Sequence, residues 1–146
     1  MEQKWVTEVN GSLFDLKDES TVLAHCVSSD LAMGKGIALS FRNKWGRPEK
    51  KKVSSCLYVQ EVGKNLTIYH LVTKARYWQK PSYKSVGEAL DQLAKHYKSA
   101  KSTVAVHMPR IGCGLDDLNW DKMKGLLREW AAKNEIRVVV HTLSAL

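Results

Sequence analysis

The chain has little of what would tie it down covalently or hold a structural metal. Its 146 residues include three cysteines. They are odd in number and far apart, with no paired knuckle spacing, which argues against a disulfide framework and a zinc ribbon. No apolar run approaches the length of a membrane span. Met1-Glu2-Gln3-Lys4-Trp5 lacks the basic-then-apolar layout of a secretory leader. There is no internal repeat, low-complexity tract or linker. A single domain over 1–146 in a reducing, intracellular setting is therefore expected, with no membrane partner. Hydrophobic content of 44% and charged content of 26% suit a globular domain that buries its own core.

Acidic residues are also scarce. Fifteen Asp and Glu face 23 Lys and Arg, for a net charge of +8. Such an excess suits polyanionic partners, either nucleic acid or phosphate-bearing substrates. It equally suits a lysine-rich solubilising surface, and the spread of the lysines leaves both readings open. The densest cluster is Arg47, Lys50, Lys51 and Lys52. A second surrounds Lys74, with Arg76, Lys80 and Lys84.

What is present is a strand–helix alternation. Trp5 to Val9 alternates as a strand, and Asn10-Gly11 ends it in a turn. Thr21 to Cys26 reads as a buried parallel strand. A helical stripe follows at Ile37, Ala38, Phe41 and Trp45, stopped by Gly46-Arg47-Pro48. Val53 to Val62 and Asn65 to Val72 read as a hairpin turning at Gly63-Lys64. Pro81 opens a helix with Val86, Ala89, Leu90, Leu93, Ala94 and Tyr97 on one face. Thr103 to Met108 is a strand. A helix from Asp121 to Lys133 carries Met123, Leu126, Leu127, Trp130 and Ala131. Ile136 to Thr142 is the last strand. The expected fold is an α/β three-layer arrangement, with a mixed central sheet between helices.

The chemistry concentrates at strand ends. Met33-Gly34-Lys35-Gly36 and Gly112-Cys113-Gly114 are glycine loops, each between a strand and a helix. Such loops bring backbone N–H groups to an anion, and two side by side suit a diphosphate. Taken alone, each reads more readily as a simple turn. Lys74 closes a strand. If desolvated near Arg76 and Lys80 its amine is a candidate nucleophile, and otherwise it is a solvated lysine. Asp116 and Asp117 follow the second loop. A carboxylate there can handle protons or open a helix. Asp121 is the better cap by position, which leaves Asp116 available for chemistry. His25, Cys26, His107 and His141 lack metal-ligand spacing, and no metal is expected. Most of the tryptophans read as core. Trp78, in a polar stretch, is a candidate lid or stacking surface for adenine or a base.

On these residues the chain resembles the macrodomain family over nearly its whole length. Within that family it resembles the branch of terminal ADP-ribose protein glycohydrolases that also deacylate O-acyl-ADP-ribose. The residues carrying the likeness are Ala24-His25-Cys26-Val27-Ser28, Met33 to Ala38, Leu71-Val72-Thr73-Lys74 and Lys80-Pro81-Ser82-Tyr83. They continue through Met108 to Asp116, with Leu118 and Trp120 beyond. The resemblance implies a sheet sandwiched by helices with ADP-ribose in a crevice. It implies that Lys74 attacks the anomeric carbon of the distal ribose, releasing a glutamate or aspartate carboxylate. Asp116 would be the acidic partner that resolves the lysyl adduct. ADP-ribose would be lined by Ser12, Leu13, His25, Ser28, Met33, Gly34, Gly36, Ile37, Thr73, Pro109, Arg110, Ile111, Gly112, Cys113, Gly114, Leu115, Thr142 and Leu143. No cofactor and no metal are implied. The expected partners are ADP-ribose and ADP-ribosylated proteins, with ADP-ribosylated nucleic acid as a further substrate class. The protein is expected to be a monomer in the nucleus or cytoplasm. The alternatives are a non-catalytic ADP-ribose reader and a hydrolase acting on ADP-ribosylated DNA.

One departure stands out. The family usually carries Gly-Asp after the first strand, where the aspartate accepts from the adenine amino group. Here the residues are Gly11-Ser12. Weaker ADP-ribose binding than in aspartate-bearing relatives is expected, unless Asp15 substitutes.

Overall fold

The computed structural model describes residues 4–16, 20–49 and 52–142. Lys50, Lys51 and Leu143 lie outside them. Strands β1 (Val6–Asn10), β2 (Thr21–Ser28), β3 (Leu57–Val62), β4 (Leu66–Lys74), β5 (Val106–Met108) and β6 (Val138–Thr142) form one sheet. Its order is β1-β6-β5-β2-β4-β3, with only the β3–β4 hairpin antiparallel. Helices α1 (Gly36–Trp45), α2 (Tyr83–Ser99) and α3 (Trp120–Asn134) cover it.

Strand periodicity of two sorts the core into two layers. From β2 and β4, Val22, Ala24, Tyr69 and Leu71 pack with the stripes of α2 and α3. Leu23, Val27, Ile68 and Val72 point the other way, to Phe41 of α1 and to Leu13 of a one-turn 3₁₀ helix, Leu13–Asp15. All six apolar positions expected along α2 are buried. Truncating one such leucine to alanine costs about 2–5 kcal/mol. Ser82 caps this helix by accepting from the Ser85 N–H at 3.0 Å, so Pro81 lies just outside it.

Several elements are shorter than the sequence pattern suggests. The hairpin strand begins at Leu57 rather than Val53, and residues 53–56 form a turn held by the Ser54–Leu57 bridge. The fifth strand begins at Val106 rather than Thr103, and the last at Val138 rather than Ile136. Apolar, β-branched composition continues past the point where a neighbouring strand offers hydrogen bonds. Leu126 faces solvent. Asn119, not Asp121, caps α3, its Oδ1 accepting from the Lys122 N–H at 3.1 Å. Only Trp130 among the tryptophans is buried, while Trp5, Trp45 and Trp120 are half-buried at the core margin.

Strands β2 and β5 are neighbours, yet β2 leads to α1 on one face and β5 to α3 on the other. Chains diverging from adjacent parallel strands open a crevice at their carboxyl edge. Both glycine loops lie there.

Candidate active site

Lys74 is the last residue of β4. Its neighbour across the sheet is Ser28 of β2, and the register shifts by one residue between Val27 and Ser28. Thr73 is the extra residue of this bulge. A bulge re-aims the side chains that follow it, and Lys74 turns toward the loop beyond β5. There its Nζ donates to Asp116 Oδ1 at 2.7 Å. The two side chains are 14% and 19% exposed, so water screens the pair only in part. The partner of the Lys74 ammonium is thus a carboxylate, not the cations Arg76 and Lys80 that the sequence places nearby. Lys80 instead donates to the Leu115 carbonyl at 2.6 Å and pairs with Asp117 at 3.3 Å.

The loop after β5 folds back on itself. The Leu118 N–H donates to the Gly112 carbonyl at 2.8 Å, and the Cys113 N–H donates to the Arg110 carbonyl at 3.2 Å. Gly112 lies at φ 73°. Leu115 is 60% exposed, and its Cδ1 reaches within 3.0 Å of where a Cβ on Gly36 would sit. The two glycine loops therefore meet across the crevice. Gly34 and Gly114 differ from Gly36 and Gly112 of the same loops, because each has an ordinary φ and nothing within 4 Å of a Cβ position. The fold demands no glycine at either place.

The loop between β2 and α1 is strained. Leu31 and Met33 sit at φ 53° and 48° with buried side chains. Non-glycine residues there cost about 1–3 kcal/mol each and persist only where surrounding groups hold them. The holding groups are Asp30 and two arginines. Arg47, read from the sequence as part of a polyanion patch, donates instead to the carbonyls of Leu31 (2.7 Å) and Ala32 (3.0 Å). Burial works against the charge of Asp30, but hydrogen bonds from Ser28, Ala32 and Tyr77 and the Arg76 charge outweigh it. Its carboxyl is held below the ordinary aspartate value.

The two thiols beside the crevice are poor nucleophiles. Burial, and then the Asp116 charge, push the Cys26 thiol up to about 12, and burial pushes Cys113 up to about 11. Both stay protonated at neutral pH. The buried Thr73 hydroxyl finds no partner better than the weak Cys26 thiol. Among the described residues no three His, Cys, Asp or Glu side chains gather to hold a metal ion.

Not every residue expected to line the site does so with its side chain. His25 is fully buried on the α1 side, stacked on Phe41 at 3.8 Å. The Trp45 carbonyl can only accept, so the Gln60 amide donates to it and Gln60 Oε1 accepts from His70 Nε2–H. His70 Nδ1 then accepts from His25 Nε2–H at 2.8 Å. This neutral relay belongs to the core. Leu13, Met33 and Ile111 are likewise buried among apolar neighbours and offer the crevice only backbone. Ile37, in the first turn of α1, is half-buried against the core layer that holds Phe41. Pro109 precedes Arg110, whose guanidinium lies 3.6 Å from Glu8 and over the Trp120 ring at 5.4 Å. Ser12 caps the 3₁₀ turn by accepting from the Phe14 N–H at 3.1 Å, and Asp15 is exposed. Thr142 lies at the end of β6, where its carbonyl accepts from the Gly11 N–H at 3.0 Å. A separate hollow, between the 3₁₀ turn, the end of α1 and the β3–β4 turn, lies at the opposite edge of the sheet.

Two features were not drawn from the sequence: Asp30, and the role of Arg47. The loop position of Asp30 contained a signal for the first, since an aspartate side chain commonly accepts from the backbone two residues on, here the Ala32 N–H.

The fold and crevice define a class: an open α/β sandwich with glycine loops at a switch point. The ADP-ribose glycohydrolase OARD1 of Homo sapiens is 34% identical over 143 residues, covering 94% of this chain and 91% of that protein. The Bos taurus protein of the same name matches equally. The macrodomain of Mycobacterium tuberculosis DarG superposes with a TM-score of 0.78 at 20% identity, covering 95% of this chain and 98% of that one. Thermosipho africanus DarTG in complex with ADP-ribose gives 0.74 at 19%, covering 92% and 41%. No family model matches the chain. The chain belongs to the macrodomain family, and its identity to OARD1 places it beside the ADP-ribose glycohydrolases.

Proposed function

We propose that the protein is an ADP-ribosyl hydrolase. It removes mono-ADP-ribose from glutamate and aspartate side chains and deacylates O-acyl-ADP-ribose. The observation that carries this reading is the 2.7 Å contact between Lys74 and Asp116 at the mouth of the crevice. An ADP-ribose reader requires neither group. In the reaction, Asp116 takes a proton from the Lys74 ammonium. The freed amine attacks the anomeric carbon of the distal ribose, and the bond from that carbon to the acyl oxygen breaks. The carboxylate leaves with the electron pair, so no metal is needed to activate it. Asp116 gives the proton it took to the departing carboxylate. Water then attacks the same carbon, Asp116 takes a proton from it and passes that proton to the Lys74 nitrogen, and the carbon–nitrogen bond breaks to release the amine. The balance is ester plus water giving ADP-ribose plus a carboxylic acid.

The diphosphate would lie against the backbone of Gly112 to Leu115 and of the loop 33–37. The clear space beside Gly34 and Gly114 supports this, because a close-lying ligand explains glycines that the fold does not require. OARD1 is by name an ADP-ribose glycohydrolase, which agrees with the reading. The protein would act as a monomer in the nucleus or cytoplasm, a setting that its free cysteines suit.

Mass spectrometry of the protein incubated with ADP-ribose should find an adduct on Lys74, and Lys74→Ala should not turn over glutamate-linked ADP-ribose. Wild-type binding without turnover leaves only a reader. A second reading changes the acceptor to a DNA base. Trp78, 67% exposed four residues beyond Lys74 and near Arg76 and Lys80, is the observation favouring it. A salt-dependent rate on modified single-stranded DNA identifies that substrate.

A further inference from the structure

The strained loop between β2 and α1 is tied to the lysine-bearing chain through a single carboxylate. One oxygen of Asp30 accepts from the Ser28 hydroxyl and from the Ala32 N–H at 3.2 Å. The other accepts from the Tyr77 N–H at 3.1 Å. The three donors come from the end of β2, from the strained loop, and from the segment three residues past Lys74. Lys74 is also bound from its other side, because the Ser29 N–H donates to the Lys74 carbonyl at 2.9 Å. The backbone carrying the amine is therefore pinned at Lys74 itself, by Ser29 between Ser28 and Asp30, and again three residues on, by Asp30 at Tyr77. Arg42 and Arg47 fix the far side of the same loop through the Leu31 and Ala32 carbonyls. They do not reach the Lys74 segment.

We propose that Asp30 is a positioning residue for the hydrolase reaction, acting through Ser28 and Tyr77 to set where the Lys74 amine meets the anomeric carbon. The assignment rests on the reading of Lys74 and Asp116 given above. Asp30 touches neither of them and makes no contact with the reacting atoms. Its leverage is geometric, since a displacement of about 1 Å at a nucleophile can cost about a hundredfold in rate. The tie is a good one for this purpose. A carboxylate accepts several hydrogen bonds at once, and each is strengthened by its charge.

The test is Asp30→Asn. Asparagine keeps the size and one accepting oxygen, but its amide cannot accept from the Tyr77 N–H. On glutamate-linked ADP-ribose, kcat should fall at least about tenfold while KM stays within about twofold of wild type. Hydrogen exchange at the Tyr77 and Ala32 amides should accelerate, and unfolding should remain cooperative. An unchanged kcat overturns the assignment. So does a loss of kcat that comes with an equal rise in KM and a loss of cooperative unfolding, which is the signature of a merely structural residue. Should the asparagine variant fail to fold, Asp30→Glu, which keeps the charge at a longer reach, is read by the same criteria. An inert wild type sinks the hydrolase reading and this assignment with it. An active wild type with an equally active variant sinks this assignment alone.

Discussion

Leu118 fills the space that a side chain on Gly112 would need. Its Cδ1 stands 2.8 Å from the point a Cβ would occupy, and Gly112 also lies at φ 73°. Gly112→Ala should therefore destabilise the protein by about 1–3 kcal/mol, chiefly through backbone strain, with the Leu118 side chain having to shift. Gly114→Ala meets neither obstacle, and its stability should stay within about 0.5 kcal/mol of wild type. It should still weaken ADP-ribose binding by crowding the phosphates. Urea titration and calorimetry on the two variants separate a glycine kept for the fold from a glycine kept for a ligand.

Lys74→Ala should abolish turnover and leave a folded protein that binds ADP-ribose. Asp116→Asn keeps the shape of the side chain and loses the proton acceptor, so kcat should drop by about 10²–10⁴. Single-turnover assays with mass spectrometry of the adduct distinguish them. The lysine variant forms no adduct, while the asparagine variant forms it slowly or fails to resolve it. Full activity in either variant removes that residue from the mechanism.

Ser12→Asp should tighten ADP-ribose binding by about tenfold, the effect of about 1.5 kcal/mol from one hydrogen bond to a charged group. The fold should accept the change, because Ser12 already caps the 3₁₀ turn through Phe14 and aspartate caps as well as serine. Calorimetry reporting an unchanged Kd would show that adenine is not read at this position.

Stability should fall in mild acid. Burial holds His70 at about 4 and, with the His70 charge adding to it, takes His25 well below its ordinary value. In the unfolded chain such imidazoles bind protons below about pH 6.5. Between that pH and about 4 the unfolded chain holds more protons than the fold, so stability rises with pH there and is lost as pH falls. His70 alone accounts for about 3 kcal/mol of this loss. The urea midpoint should thus be flat above pH 7 and decline steadily down to pH 4.5. A flat profile across that range would mean that the relay is protonated in the folded state.

Much of the fold is legible because burial and periodicity coincide. Along α2 each expected apolar position is inside, since a 17-residue stripe at helical spacing admits one solution. Strand ends are less legible. Val53, Thr103 and Ile136 have strand composition but no neighbour to pair with, and pairing is decided elsewhere in the chain. His25 shows the same limit at the site. It stands beside functional residues in sequence, yet alternation turns it to the core face, where its Nε2 bonds His70 and its Nδ1 is left without a partner.

The amino-acid sequence by itself determined the layer order and the two glycine loops, because each depends on local pattern, and it offered Lys74 and Asp116 as a candidate pair only through the likeness of their motifs to the macrodomain family. It could not determine that the pair meet. They are 42 residues apart, and their contact requires β2 to lie between β4 and β5, with a bulge at Thr73 turning the lysine toward the loop. Nor could it assign Arg47 to loop carbonyls rather than to a surface patch, or Asp30 to a tie between two loops. Those roles belong to partners brought together only when the sheet closes its order, and no local periodicity encodes them.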